Sequence, residues 1–250
     1  MNSPFYLPAS WPGTRPENVH AYTTLRTGGI STGGYSEYNL ADHVDDDPGV
    51  VKNNRAKLVK DLQLPAEPVW LEQVHSNKVI CADNFSAAQQ PVRADASTSS
   101  KKGVVCVVMT ADCLPVFICN QAGTEVAVVH AGWRGLHAGI ITNTIKAMKS
   151  PADELLACLG PAIGPEVFEV GEEVLNAFVD KNSVNRSAFV ASKKDHYLCD
   201  IYQLARIELQ TIGIDKIAGG GRCTYLEESL FYSYRRQQKT GRMASLIWLT

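Results

Sequence analysis

The stretch Val104–His130, VVCVVMTADCLPVFICNQAGTEVAVVH, decides the fold. It holds three apolar runs, VVCVVM (104–109), LPVFIC (114–119) and EVAVVH (125–130), parted only by TADC and NQAGT. Each run is too short for a helix and lacks the polar alternation of a half-exposed strand, so it reads as a strand buried on both faces. Pro115 confines the second run to a strand start or an edge. On the C-terminal side, AGWRG (131–135) breaks the third run and a helix follows to about Lys149, with Leu136, Ile140, Ile141, Ile145 and Met148 inward. Leu155–Leu159 is a short strand ending in GPAIGP, and a helix lies near Val170–Asp180. Asp200 caps an amphipathic helix that ends at Gly213, Ile214–Ala218 is a strand, and MASLIWL (243–249) is the last strand.

On the N-terminal side, residues 83–103 are polar and read as surface loop. PVWLEQVH (68–75) reads as a strand, with Lys78–Ala82 as its continuation or partner. HAYTTLR (20–26) is a further strand, followed by a long glycine-rich ordered loop. Asp47-Pro48 is an N-cap with proline at the first helical position, and the helix runs to about Leu62 with Val51, Arg55, Leu58, Val59 and Leu62 on one stripe. Residues 1–18 are Pro-rich and read as irregular. Strands alternate with helices, yet some strand connections are short, which predicts mixed sheets in an α/β (α+β) fold. With no repeat, low-complexity tract or linker, residues 19–250 read as one domain.

Composition narrows the function. Lys+Arg 24 against Asp+Glu 26 gives a net charge of −2, which argues against a nucleic-acid partner. No apolar run approaches the roughly 20 residues of a membrane span. The N-terminus has neither the basic nor the apolar region of a secretory signal, so a cytoplasmic location is expected. The seven cysteines include no C-x-x-C pair and read as reduced thiols. None of the six histidines forms an H-x-H pair, which counts against a multicopper oxidase.

Three strand ends deliver metal ligands. WLEQV leads to His75, VVCVVM precedes Cys113, and EVAVV ends at His130. Sites in open α/β sheets lie just beyond strand ends. Two imidazoles and a thiolate make a three-ligand set that leaves a fourth position open, as catalytic zinc requires. The spacing matches no short zinc motif, and a buried thiol beside two hydrogen-bonded histidines explains the same residues. Arg26 beside Gly28-Gly29 is a candidate anion cradle, and Arg55 is a second cation on the first helix. Arg26 pairing with Asp45–Asp47 and Arg55 on a solvated helix face are the structural alternatives.

The strings LEQVHSNKV, MTADCLPVFIC and HAGWRGLHAGI resemble the three signature segments of the laccase-domain family. That family is also called the peptidoglycan editing factor family, or the purine nucleoside phosphorylase family of polyphenol-oxidase type. TLRTGGISTGGYSEYNLADHVDDDPGVVKNNRAKL, GPAIGPEVFEVGEEV, GGGRCTY, FYSYRR and TGRMASLIWL resemble its other segments, from about Val19 to Thr250. The resemblance implies an α/β/β/α layering and a single zinc on His75, Cys113 and His130, which would then be the catalytic centre. It implies phosphorolysis of adenosine, inosine, guanosine and methylthioadenosine, and hydrolytic deamination of adenosine. Purine nucleosides and inorganic phosphate are the implied partners, with Arg26, Asn39 and Arg55 as substrate-binding candidates. For deamination, Glu72 and Asp112 both stand as candidate proton carriers. An amide hydrolase that edits serine-containing peptidoglycan precursors with Cys113 as nucleophile is the alternative. A non-enzymatic binding module is a further rival. The histidine count disfavours copper, and a monomer is favoured.

Overall fold

The computed structural model describes residues 4–85 and 91–250. The chain opens with β1 (Tyr6–Pro8), β2 (Val19–Thr24) and α1 (Pro48–Asp61). β3 (Leu71–Glu72), β4 (Val79–Cys81), β5 (Val92–Arg93) and β6 (Ala96–Ser99) lead to the central strands β7 (Val105–Thr110), β8 (Leu114–Asn120) and β9 (Val126–Ala131). After them come α2 (Trp133–His137), α3 (Ile140–Ala147), β10 (Leu155–Leu159), β11 (Glu169–Gly171) and α4 (Glu172–Lys181). The chain closes with β12 (Phe189–Ala191), β13 (His196–Cys199), α5 (Ile201–Thr211), β14 (Ile217–Gly219) and β15 (Met243–Leu249).

Two large sheets form the centre, ordered β1-β2-β15-β7 and β14-β10-β8-β9-β6-β4. The second is mixed: β8 runs antiparallel to β9 and β10, while β10–β14 and β4–β6 are parallel. The TADC link carries the chain from one sheet into the other, so β7 and β8 are neighbours in sequence but not in pairing.

The apolar runs are continuous because each strand is buried twice. On β7, Cys106 and Val108 enter the core between the sheets, while Val105, Val107 and Met109 enter a second core with Leu58 of α1. On β8, Phe117 and Cys119 face the inter-sheet core, while Leu114, Val116 and Ile118 pack with Ile140, Ile141 and Leu204 of the helices. The layers are therefore helix, sheet, sheet, helix. Truncating Phe117, 1% exposed between the sheets, to alanine costs about 3–5 kcal/mol. None of the described helices is long and apolar enough to cross a membrane.

Both expected N-caps form. Asp47 accepts from Val50 N and Asp200 from Gln203 N, each satisfying a donor the helix leaves open. Several expectations need correction. Residues 1–18 are not irregular throughout, because β1 pairs antiparallel with β2 and ends the sheet. Residues 1–3 and, in the expected surface loop, residues 86–90 lie outside the described residues. The described remainder of that loop includes β6, which fits between β4 and β9 because its Ala and Ser side chains are small. The helix expected to reach Lys149 is broken at Gly139, whose φ of +83° starts α3 in a new direction. In PVWLEQVH only Leu71 and Glu72 pair as a strand. Beyond them the Gln73 side chain takes over, donating to Met109 O at 2.8 Å and accepting from Met109 N at 2.7 Å.

Candidate metal centre and substrate pocket

The antiparallel register of β8 and β9 sets Leu114 opposite Ala131 and Pro115 opposite His130. Cys113 thus precedes β8 at the sheet end where β9 delivers His130. Val126 and Val128 of β9 point into the inter-sheet core, and the alternation gives His130 the same side. His75 arrives from the segment after β3. Its ring meets that of His130 edge-on, with centroids 4.8 Å apart.

Asp95 ties this arrangement together. Its Oδ1 accepts His130 Nδ1–H at 2.8 Å and His75 N at 3.0 Å. Its Oδ2 accepts Ser76 N at 2.6 Å and Ser76 Oγ at 2.7 Å. The carboxylate is 0% exposed, so these bonds replace the water it has lost. The bond to Nδ1 assigns the imidazole proton to that atom and leaves Nε2 as the ligating nitrogen. Burial alone would raise the Asp95 pKa, but the bonds from His130 and Ser76 outweigh it and hold it at about 2. Burial likewise opposes ionisation of Cys113 and His130. Their mutual attraction prevails, lowering the thiol and, with Asp95, raising the imidazole.

The backbone is bent to bring the ligands in. His75 and Asp112 hold left-handed φ values of +59° and +92°. Conformations of this kind cost about 1–3 kcal/mol and persist only where neighbours enforce them. Asp112 is enforced by Thr224 Oγ1 and Arg235 N, which donate to its carboxylate at 2.7 and 2.6 Å. Gly132 makes the close approach possible: a Cβ there would stand 2.9 Å from His75 Cδ2 and 3.0 Å from Cys113 Sγ.

The donor set fits a metal ion. One ligand atom from each of His75, Cys113 and His130 lies within 4.8 Å of the others. Cys113 Sγ and His75 Nε2 are 3.7 Å apart. Tetrahedral zinc, with bonds of about 2.3 Å to sulfur and about 2.1 Å to nitrogen, places such atoms about 3.6 Å apart. His130 is buried, Cys113 half-buried and His75 exposed, so the centre opens on one side. Next to Cys113 lies a cavity of about 160 Å³ with apolar walls from Trp133, Ile163, Phe168 and Ile201, and Tyr234 and Arg235 among its lining.

The remaining sequence candidates are mostly committed to other bonds. Arg26 donates from Nε and Nη2 to Ser36 O and from Nη1 to Glu228 O, and its guanidinium lies 5.1 Å from the Tyr232 ring centre. Asn39 is 0% exposed; its amide donates to Ala41 O and Asp46 Oδ2 and its carbonyl accepts from Ala41 N and Arg242 N. No donor or acceptor of Asn39 is left for a ligand. Arg55 lies 4.0 Å over the Trp70 ring, donates to Leu40 O and pairs with Asp42 at 3.3 Å. Glu72 is exposed opposite Arg93 on β5.

Sequence reading missed Asp95, Gly132 and Arg242. A lone acid between alanines in RADAS (93–97) was the available signal for Asp95, since two flanking small apolar residues indicate burial. Gly132 and Arg242 matter only through what folds against them.

These features define a class: a layered α+β protein with a cluster of two histidines and one cysteine that could hold a metal ion at a sheet end. Residues 20–250 match the family model described as multi-copper polyphenol oxidoreductase laccase, and the chain belongs to that family. It is 51% identical over 239 residues to purine nucleoside phosphorylase YfiH of Shigella flexneri, covering 96% of each chain. Its identity to purine nucleoside phosphorylase PA4543 of Pseudomonas aeruginosa is 49% over 245 residues, with 98% of each covered. The crystal structure of Neisseria meningitidis protein NMB0706 superposes with a TM-score of 0.92 at 46% identity, covering 98% of both chains.

Proposed function

We propose that this chain is a cytoplasmic zinc-dependent purine nucleoside phosphorylase that also deaminates adenosine. The observation that carries the reading is the His75–Cys113–His130 centre, open on one side and continuous with an apolar cavity. The names of the relatives support the phosphorylase activity. When bound, zinc supplies a Lewis acid that polarises a group in its open fourth position. Six histidines and one ligand cluster among the described residues favour one zinc over the several copper ions of a multicopper oxidase.

The protein's own groups supply orientation. Asp95 fixes the His130 ring, and Gly132 lets the ligands close up. Trp133, Ile163 and Phe168 offer a flat heterocycle an apolar seat that excludes water. In phosphorolysis a phosphate oxygen bonds to C1′ of the ribose as the bond from C1′ to the purine nitrogen breaks. The base leaves with the electron pair and takes up a proton, giving ribose 1-phosphate and free base. In deamination, adenosine and water give inosine and ammonia. Adenosine, inosine, guanosine and methylthioadenosine are the proposed substrates. Arg26, Asn39 and Arg55 act in this reading mainly by shaping the loop that faces the substrate.

A screen of purified zinc-loaded protein against these nucleosides, with and without phosphate, tests the proposal. Phosphate-dependent release of hypoxanthine from inosine is the expected result. No turnover of any purine nucleoside under either condition overturns it. The Asp95–His130–Cys113 line favours one second reading, an amide hydrolase with Cys113 as nucleophile and His130 as base, acting on serine-containing peptidoglycan precursors. Full amidase activity in zinc-free protein distinguishes it.

A further inference from the structure

Arg242 keeps open donors beside the site, as does Arg235, whose Nη1 alone is engaged, on Glu169 O. The pairing of Met243 with Thr110 sets Arg242 opposite Ala111, next in line to Asp112 and Cys113. Its backbone N–H is held by Asn39 Oδ1 at 3.0 Å. In its side chain, only Nη1 is engaged, donating to Thr240 O and Gly241 O at 2.8 and 3.1 Å. Among the described residues, Nε and Nη2 have no partner and no carboxylate pairs with the guanidinium. Arg55, by contrast, has Asp42, and Arg222 has Glu227 at 2.7 Å. The half-buried guanidinium stands 5.7 Å from the Tyr234 ring centre, and Tyr234 also lines the cavity beside Cys113. A partly desolvated cation with open donors and no carboxylate at ion-pair distance favours an anionic ligand.

A second observation stands nearby. Tyr35 is 6% exposed and its hydroxyl has no hydrogen-bond partner among the described residues. Buried hydroxyls without partners are rare and mark places where a ligand or water completes the bonding. The loop of Tyr35 packs on the segment that leads into Arg242: a Cβ on Gly34 would collide with Lys239 O, and Lys239 Nζ lies 5.7 Å from the Tyr35 ring centre. Tyr35, Cys113 and Asp112 all act electrostatically on Arg242, as Arg242 does on His43.

We propose that Arg242 and Tyr35 form the inorganic phosphate subsite, beside Cys113 and on the rim of the apolar cavity that takes the purine. The inference rests on the phosphorylase reading and deepens it. A planar guanidinium with two open N–H groups and a hydroxyl donor suit a tetrahedral oxyanion. The base seats against Trp133 and Phe168, and the ribose bridges the two ends, so the phosphate oxygen faces C1′.

Steady-state phosphorolysis of inosine by zinc-loaded Arg242→Gln and Tyr35→Phe, with phosphate and inosine varied separately, tests the site. Arg242→Gln is expected to raise the phosphate KM at least tenfold and Tyr35→Phe about threefold. The inosine KM stays within twofold and the zinc content is unchanged. Arg242→Lys, which keeps the charge but loses the fork, falls between. Equilibrium dialysis with radiolabelled phosphate gives a second readout, independent of turnover. If wild-type protein binds phosphate, Arg242→Gln does not, and no nucleoside turns over, the subsite stands and the phosphorylase reading fails. If wild type turns over inosine with phosphate and Arg242→Gln keeps both its phosphate KM and its phosphate binding, the subsite is overturned.

Discussion

The floor of the site and its rim are held by different kinds of bond. On the floor, Cys113 and His130 sit at the ends of β8 and β9, with Asp95 just ahead of β6. These strands are wholly buried and laddered to one another, so the ligands inherit the rigidity of the sheet. On the rim, residues 26–43 and 224–242 are knitted by single side chains reaching backbone atoms. Arg26 binds Ser36 O and Glu228 O, Arg236 binds the carbonyls of Thr224, Tyr225 and Phe231, and Tyr232 Oη donates to Tyr35 O at 2.6 Å. The difference teaches that a charged residue near a site is not thereby a ligand contact. On this rim Arg26 and Arg236 staple the chain, whereas Arg242 keeps Nε and Nη2 open.

The largest expected effect falls on the floor. Cys113→Ala is expected to lower nucleoside turnover about a thousandfold or more and to abolish stoichiometric zinc, measured by elemental analysis. Cooperative unfolding should survive, because the side chain precedes β8 and lies outside the core clusters. Loss of cooperative unfolding would make the metal structural and erase the distinction between floor and rim. Next comes Asp95→Asn, which keeps the volume but removes the charge that faces His130. Zinc affinity in chelator competition should fall about 10- to 100-fold. Unchanged affinity would mean that the sheet alone positions the imidazole.

A pH effect follows from the same carboxylate. Asp95 in the fold ionises at about 2, below the roughly 3.9 of an unfolded aspartate. Its stabilising contribution is therefore complete above about pH 4 and is lost as the pH falls toward 2. Denaturant unfolding of zinc-free wild type and Asp95→Asn should differ by about 2 kcal/mol more at pH 5 than near pH 2. A gap independent of pH in that window would contradict the assignment. The smallest effect belongs to the rim. Arg26→Lys keeps the charge but loses the fork onto Ser36 O. It should cost about 1 kcal/mol of stability in urea, with zinc affinity unaltered. A parallel loss of zinc affinity would show that floor and rim are mechanically coupled.

Much of the floor was legible in the chain. Two apolar runs, one ending at His130 and one ending just before Cys113, with a further strand leading to His75, placed the ligands at sheet ends. Asp95 offered only the faint signal of a lone acid between two alanines, because its burial comes from β4 and β9 closing on either side of β6. The helix break at Gly139 escaped for a related reason: the apolar spacing runs on through 136–148, and only the left-handed φ interrupts it.

On the rim the chain supplied the charged residues without their tasks. Arg26 and Arg55 looked as available as Arg242, because a guanidinium's partners are carbonyls and carboxylates far away in sequence. Local periodicity and strand-end chemistry are short-range properties, and they determined the mixed-sheet α/β class and the candidate ligand set, while the layering was what the family resemblance implied. The pairing of TADC-linked strands into different sheets, the carboxylate under His130 and the open donors of Arg242 arise from contacts across many residues. Those the tertiary structure alone decided, because hydrogen-bond partners and burial exist only once the chain has closed on itself.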